Sequence, residues 1–167
     1  MISISVVLPT IGRPTLWRSL DAILPQLMNG DEVIVVRDSY GRTDPDEGLR
    51  LAVEAASPRI RYVEHDAGQA YKGVFQSNFG FDLTRGDLVL AHADDDCYTA
   101  HAFERLRAEG TAHPECPLLF QTVSPRGNLS WDPGVPCLQR NRLGGSSLAV
   151  PRRWLVPFRY PCANSID

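Results

Sequence analysis

The stretch "DEVIVVRD", residues 31–38, limits the fold more than any other part of the chain. Val33, Ile34, Val35 and Val36 are all β-branched, a property that favours extended backbone. They are also consecutive, so no polar face alternates with an apolar one. A strand of this kind must be covered on both sides, which is the situation in parallel sheets with helices packed above and below.

The neighbouring segments repeat the theme. "ISISVVLP" (2–9) reads as a first strand ended by Pro9, "RIRYVEH" (59–65) alternates as a third, and "DLVLAHA" (87–93) is a fourth. Between them, Leu16, Leu20, Ile23, Leu24 and Leu27 in "TLWRSLDAILPQL" (15–27) recur at helical spacing. Pro14 suits the first turn of that helix, and Pro25 is expected to fray or kink its far end. A short helix is expected near 46–56. "QAYKGVFQSNFGFDLTRG" (69–86) predicts another despite Gly73 and Gly80, with Gly86 as its stop. Thr99 or Asp96 is expected to cap a helix after the fourth strand. This alternation implies right-handed βαβ units and an α/β, Rossmann-like fold with a mainly parallel sheet flanked by helices.

After Pro114 the texture changes. "CPLLFQTV" and "SLAV" read as strands, but "SPRGNLSWDPGVPCLQRNRLGG" between them is turn-rich and follows no period. With no repeat or linker, the expectation is one domain over 1–167: a regular half, 1–113, and an irregular C-terminal third, 114–167.

Composition narrows the function classes. Seventeen basic residues against 20 acidic ones give a net charge of −3, which offers nucleic acid no strong attraction. No apolar run is long enough to span a bilayer, and no export signal precedes the first strand, so the cytoplasm is the expected compartment. Cys97, Cys116, Cys137 and Cys162 form no C-x-x-C pair and read as reduced thiols. His92, His101 and His113 lie near Cys97 and Cys116 without structural-zinc spacing.

The chemistry concentrates where "LVLA" runs into Asp94, Asp95 and Asp96. Three adjacent carboxylates either sit in a solvated turn or face something cationic. In an open parallel sheet, ligands bind beyond the carboxyl ends of the strands. Thr10 and Asp38 follow the first and second strands, so both point to the same edge as the triplet. Carboxylates there suit Mg²⁺ or Mn²⁺ bridging to a diphosphate. Neither a P-loop nor a G-x-G-x-x-G follows the first strand, leaving phosphate binding to a metal.

"ISVVLPTIGRPTLWRSLDAILPQ", followed by "DEVIVVRDS", resembles the opening of family 2 glycosyltransferases of the GT-A fold. "QSNFGFDLTRGDLVLAHADDD" is similar to that family's N-x-G…G-D/E segment running into its DXD region. The match covers about residues 2–110 and extends more loosely over "AHPECPLLFQT". The resemblance implies metal-dependent, inverting transfer of a sugar from a nucleoside-diphosphate donor, a UDP-sugar foremost, to a hydroxyl acceptor. Thr10 and Asp38 would contact base and ribose, with Lys72 near the donor. Asp94 would lie near the ribose or donor sugar. Asp94, Asp95 and Asp96 together form the metal-binding stretch, with Asp95 or Asp96 holding the ion.

The family's late general base falls on Asp167, in "NSID". This chain departs from the usual D-x-D-D by carrying His92 in the first acidic position. Trp131 and Trp154 could stack on a sugar, and Arg152, Arg153 and Arg159 could steer an anionic donor, although core mass and a solvated basic face are simpler readings. A catalytically silent nucleotide-sugar-binding module and a sugar-phosphate nucleotidylyltransferase are the alternatives. The second would carry a phosphate loop rich in glycine and arginine, where "TIGRPTL" has one of each.

Overall fold

A computed structural model describes residues 1–42, 44–68, 73–119 and 148–155. The strands β1 (Ile4–Thr10), β2 (Glu32–Asp38), β3 (Ile60–His65) and β4 (Leu88–Ala91) alternate with helices α1 (Thr15–Ile23), α2 (Glu47–Ala56) and α3 (Val74–Asp82). Helix α4 (Ala102–Ala112) and the short strands β5 (Leu118–Leu119) and β6 (Leu148–Pro151) complete the described part. The sheet order is β3-β2-β1-β4-β6-β5. The first four strands are mutually parallel, while β6 runs antiparallel to β4 and to β5. The expected mainly parallel α/β sheet is therefore present.

Continuous apolar strands are buried on both faces, as their sequences required. Ile4, Val6 and Leu8 of β1 and Val33 and Val35 of β2 pack with Leu16, Leu20 and Ile23 of α1 and Phe103 of α4. Val7, Ile34, Val36, Val89 and Ala91 face the opposite side, where Phe81 of α3 and Leu155 meet them. Such a layered core contributes about 25 cal/mol for each Å² of apolar surface removed from water.

Helix α3 approaches the sheet through a glycine. A Cβ on Gly80 would overlap Val7 Cγ1 and lie 3.0 Å from Val36 Cγ2. The residue that weakens helix propensity is thus required by close packing.

Two of three helix ends differ from expectation. At the third, as expected, the far end of α1 does not stay α-helical through Pro25 but tightens into a 3₁₀ turn over Leu24–Gln26. A proline has no N–H to continue the α-helical ladder. Helix α3 ends at Asp82, and Thr84 stops it by donating from Oγ1 to the Phe81 carbonyl at 2.8 Å. Gly86 is not that stop: a Cβ there would fall 2.7 Å from Ser5 N, so the glycine serves the contact with β1. At α4, neither Thr99 nor Asp96 is the cap. His101 occupies that position at φ 62°, with no side-chain cap.

Polar clips bind the amino ends of the strands. Asp31, nearly fully buried, accepts from Ile4 N at 2.8 Å and pairs with the buried Arg107 of α4. Asp87 accepts from Ser3 N and Ser3 Oγ at 2.9 and 2.8 Å, contacts that hold its carboxyl below the usual range. At the other end, buried Arg37 donates to Glu64 at 2.8 Å and reaches Asp46 at 3.4 Å. Burial pushes the Glu64 carboxyl up. The Asp46 N–H, the Tyr62 hydroxyl and Arg37 together outweigh that and hold it below its ordinary value.

Two outcomes follow. Asp31→Ala strands the Arg107 charge in the core and is expected to cost about 3–5 kcal/mol in urea unfolding. Because the folded-state pKa of Glu64 is depressed, its contribution is complete above the unfolded value of about 4.3 and is lost as pH falls through the lower folded value. Glu64→Gln should therefore lower stability at pH 7 and flatten the acid limb of a stability–pH profile.

Candidate functional site

The order β3-β2-β1-β4 places a topological switch between β1 and β4. From β1 the chain builds outward through β2 and β3, then returns to place β4 on the other side. In open α/β sheets ligands bind in the crevice beyond the carboxyl ends of the strands beside such a point. Thr10 ends β1, and Asp94 follows β4 by three residues.

These two residues meet. Thr10 Oγ1 donates to Asp94 Oδ2 at 2.6 Å, and both residues are buried. Thr10 Oγ1 also accepts from Gly12 N at 2.9 Å, shaping the turn into α1. Gly12 holds φ at +85°, a conformation that a side chain would strain.

The cation that the triplet meets in the structure is Arg13. Its Nε lies 3.3 Å from Asp94 Oδ2, its Nη2 pairs with Asp94 Oδ1, and its Nη1 lies 3.2 Å from Asp95 Oδ2. The hydrogen bond to Asp94 holds the Arg13 guanidinium above its already high ordinary pKa. In the sequence Arg13 stands out only as the one arginine of "TIGRPTL". The signal available was an arginine three residues beyond Thr10, on the loop facing three carboxylates.

Helix α1 holds the triplet's backbone. Arg18 Nη2 donates to the Asp95 carbonyl at 2.9 Å, and Ser19 Oγ to the Asp96 carbonyl at 2.7 Å. His92 Nε2 lies 3.1 Å from that same Asp96 carbonyl, so this nitrogen carries the proton. Burial pushes His92 below its ordinary pKa, against the opposing pull of the Asp96 carbonyl and the three aspartates. Its ring stacks on Tyr98 at 4.4 Å, and Tyr98 meets Phe103 edge-on at 5.1 Å. His92 thus braces the loop from inside the core, where its Nδ1 has no hydrogen-bond partner among the described residues.

Asp38 stands one residue past Arg37, the β2 partner of Thr10, so it reaches the same edge. Half-buried, it accepts from Tyr40 N at 3.0 Å through Oδ1 and turns the chain after β2.

Among the described residues, no group of three or more His, Cys, Asp or Glu side chains is arranged to hold a metal. Asp95 and Asp96 nevertheless present exposed carboxylates at the crevice. That donor set fits Mg²⁺ or Mn²⁺, which commonly take one or two protein carboxylates and complete their shell with water and phosphate oxygens. Cys97 and Cys116 are free and exposed.

Other expected residues fall elsewhere. β6 pairs Pro151 with Leu88, so Arg152, Arg153 and Trp154 lie at the amino end of β4, away from the crevice. Arg153 pairs there with Glu115 at 2.6 Å. Lys72, Trp131, Arg159, Asp167, Cys137 and Cys162 lie outside the described residues. No described helix is long and apolar enough to cross a membrane.

Solved structures share this architecture. S. aureus TarS 1-349 aligns with a TM-score of 0.71 at 17% identity, over 96% of this chain and 50% of that one. The mannosyltransferase PcManGT from Pyrobaculum calidifontis, solved in complex with GDP-Man and Mn²⁺, aligns at 0.68 and 19% identity, over 95% and 47%. S. aureus TarS 1-349 in complex with UDP-GlcNAc aligns at 0.63 and 18% identity, over 96% and 49%. The chain therefore spans about half the length of these proteins, and at such identities the likeness establishes the fold, GT-A. No curated protein matches in sequence. The profile described as glycosyl transferase family 2 matches residues 5–166, nearly the whole chain, and on that extent the chain belongs to glycosyl transferase family 2.

Proposed function

We propose that this chain transfers a sugar from a nucleoside-diphosphate donor to a hydroxyl acceptor, with inversion and with Mn²⁺ or Mg²⁺. The observation that carries the reading is the meeting of Thr10 with the aspartates 94–96 at the switch point between β1 and β4, with Asp38 on the same edge of the sheet. Family membership supports glycosyl transfer, and the neighbours solved with UDP, UDP-GlcNAc or GDP-Man support a nucleotide-sugar donor.

Each group has a role in that reading. Asp38 accepts from a base or ribose donor, and the loop from Thr10 to Arg13 forms the wall beside it. Lys72 is assigned to the donor side. Asp94, Asp95 and Asp96 form the metal-binding stretch, with Asp95 or Asp96 holding the ion and Asp94 also lying on the ribose side of the donor. Bound there, the ion would stabilise negative charge on the departing diphosphate. Asp167 takes the proton from the acceptor hydroxyl as the oxygen attacks. A UDP-sugar is the first donor to test.

Isothermal titration of UDP, GDP, dTDP and CDP, each with and without Mn²⁺, tests the donor side. Metal-dependent binding of one nucleotide is expected, and Asp95→Asn with Asp96→Asn should weaken it at least about tenfold, the loss of one charge-assisted contact. These variants spare Asp94, whose removal would disturb the turn. Failure of every nucleotide to bind would return the triplet to a structural role.

Asp167→Asn should lower kcat by about 10²–10⁴ while leaving nucleotide affinity unchanged, the usual share of a general base. Binding without sugar transfer by the unsubstituted chain would instead identify a nucleotide-sugar-binding module.

A further inference from the structure

One guanidinium bridges two of the carboxylates that the proposed function places around the metal. Arg13 contacts Asp94 through Nε and Nη2 and Asp95 through Nη1. The Asp94 side chain is 2% exposed and is held from behind by Thr10, whereas the Arg13 side chain is 45% exposed. Of the two partners, the arginine is the one free to leave.

Its backbone does not have to move. The Arg13 carbonyl accepts from Leu16 N at 3.1 Å, and Gly12 N is tied to Thr10 Oγ1, so the loop is anchored on both sides of the side chain. Rotation about the arginine side-chain bonds is enough to take the guanidinium off both carboxylates. A divalent cation drawing on the same oxygens would sit within a few ångströms of the guanidinium, and like charges at that distance repel strongly in a partly buried site.

We propose that Arg13 is an internal counter-ion that competes with the divalent cation for Asp94 and Asp95 and swings off them when the cation binds. The inference rests on the metal-dependent reading above. Before metal binds, the arginine relieves repulsion among adjacent aspartates and keeps the turn after β4 in shape. Once displaced, it remains tethered at the mouth of the crevice. Its planar fork, now unpaired, suits the oxygens of a diphosphate. Metal entry and the exposure of a phosphate-binding cation become one event.

The test is Mn²⁺ titration of the unsubstituted protein, Arg13→Gln and Arg13→Lys, each alone and with UDP or GDP. Arg13→Gln should bind Mn²⁺ alone at least about tenfold more tightly than the unsubstituted protein, since a charge-assisted competitor is gone. Arg13→Lys should fall between, because it keeps the charge but loses the fork. Equal or weaker binding by folded Arg13→Gln overturns the proposal while leaving the metal reading intact. Absence of Mn²⁺ binding in every protein, with or without nucleotide, overturns both.

A second measurement needs no variant. In the unsubstituted protein, the Arg13 Nε–H resonance should exchange slowly with solvent without Mg²⁺ and lose that protection at saturating Mg²⁺. Retained protection when Mg²⁺ is bound also overturns the proposal.

Discussion

The Asp94 carboxylate organises the upper edge of this molecule. It is buried, and an ionised carboxylate is costly to remove from water unless its oxygens are satisfied. Thr10 and Arg13 satisfy them, and both come from the loop that follows β1. Strands β1 and β4 are neighbours in the sheet but lie far apart in the chain, and the helices that follow them, α1 and α4, pack on the same face. The contact thus pins two loops that sheet pairing alone would leave independent. Arg18 and Ser19 extend the hold to the backbone of the next two aspartates, and His92 braces the same turn from the core.

The two ends of the sheet use similar chemistry for different ends. At the amino ends, Asp31, Asp87 and Glu32 accept hydrogen bonds from neighbouring strands and turns, and Asp31 pairs with a buried arginine. Those carboxylates hold elements together. At the carboxyl ends, Asp94 is enclosed, yet Asp95 and Asp96 remain at the surface beside a half-exposed arginine. Unlike the buried pair of Asp31 and Arg107, the contact of Arg13 with Asp95 can exchange with solvent or a ligand at little cost, since exposed ion pairs contribute roughly 1 kcal/mol or less.

Much of this was legible in the chain. Apolar runs in β1, β2 and β4 and the alternation in β3 located four parallel strands to within a few residues, because burial leaves a local compositional mark. The aspartates and Thr10 were legible as strand-end residues for the same reason. Helix ends were less so. Gly86 suggested a stop, yet its need for a missing Cβ comes from Ser5, 81 residues away. The cap of α4 was misplaced because the turn after β4 is shaped by α1 and His92 rather than by its own residues.

Sequence by itself therefore determined which segments are strands, that both of their faces are covered, and that acidic residues gather where those strands end. These are local properties, carried by periodicity and by residues adjacent in the chain. Tertiary structure decided the order β3-β2-β1-β4 and, with it, which cation faces the aspartates. Arg13 and Asp94 are 81 positions apart, and no local pattern couples them. Only the parallel pairing of β1 with β4 brings their loops within reach of a hydrogen bond, and that pairing depends on the packing of the whole sheet.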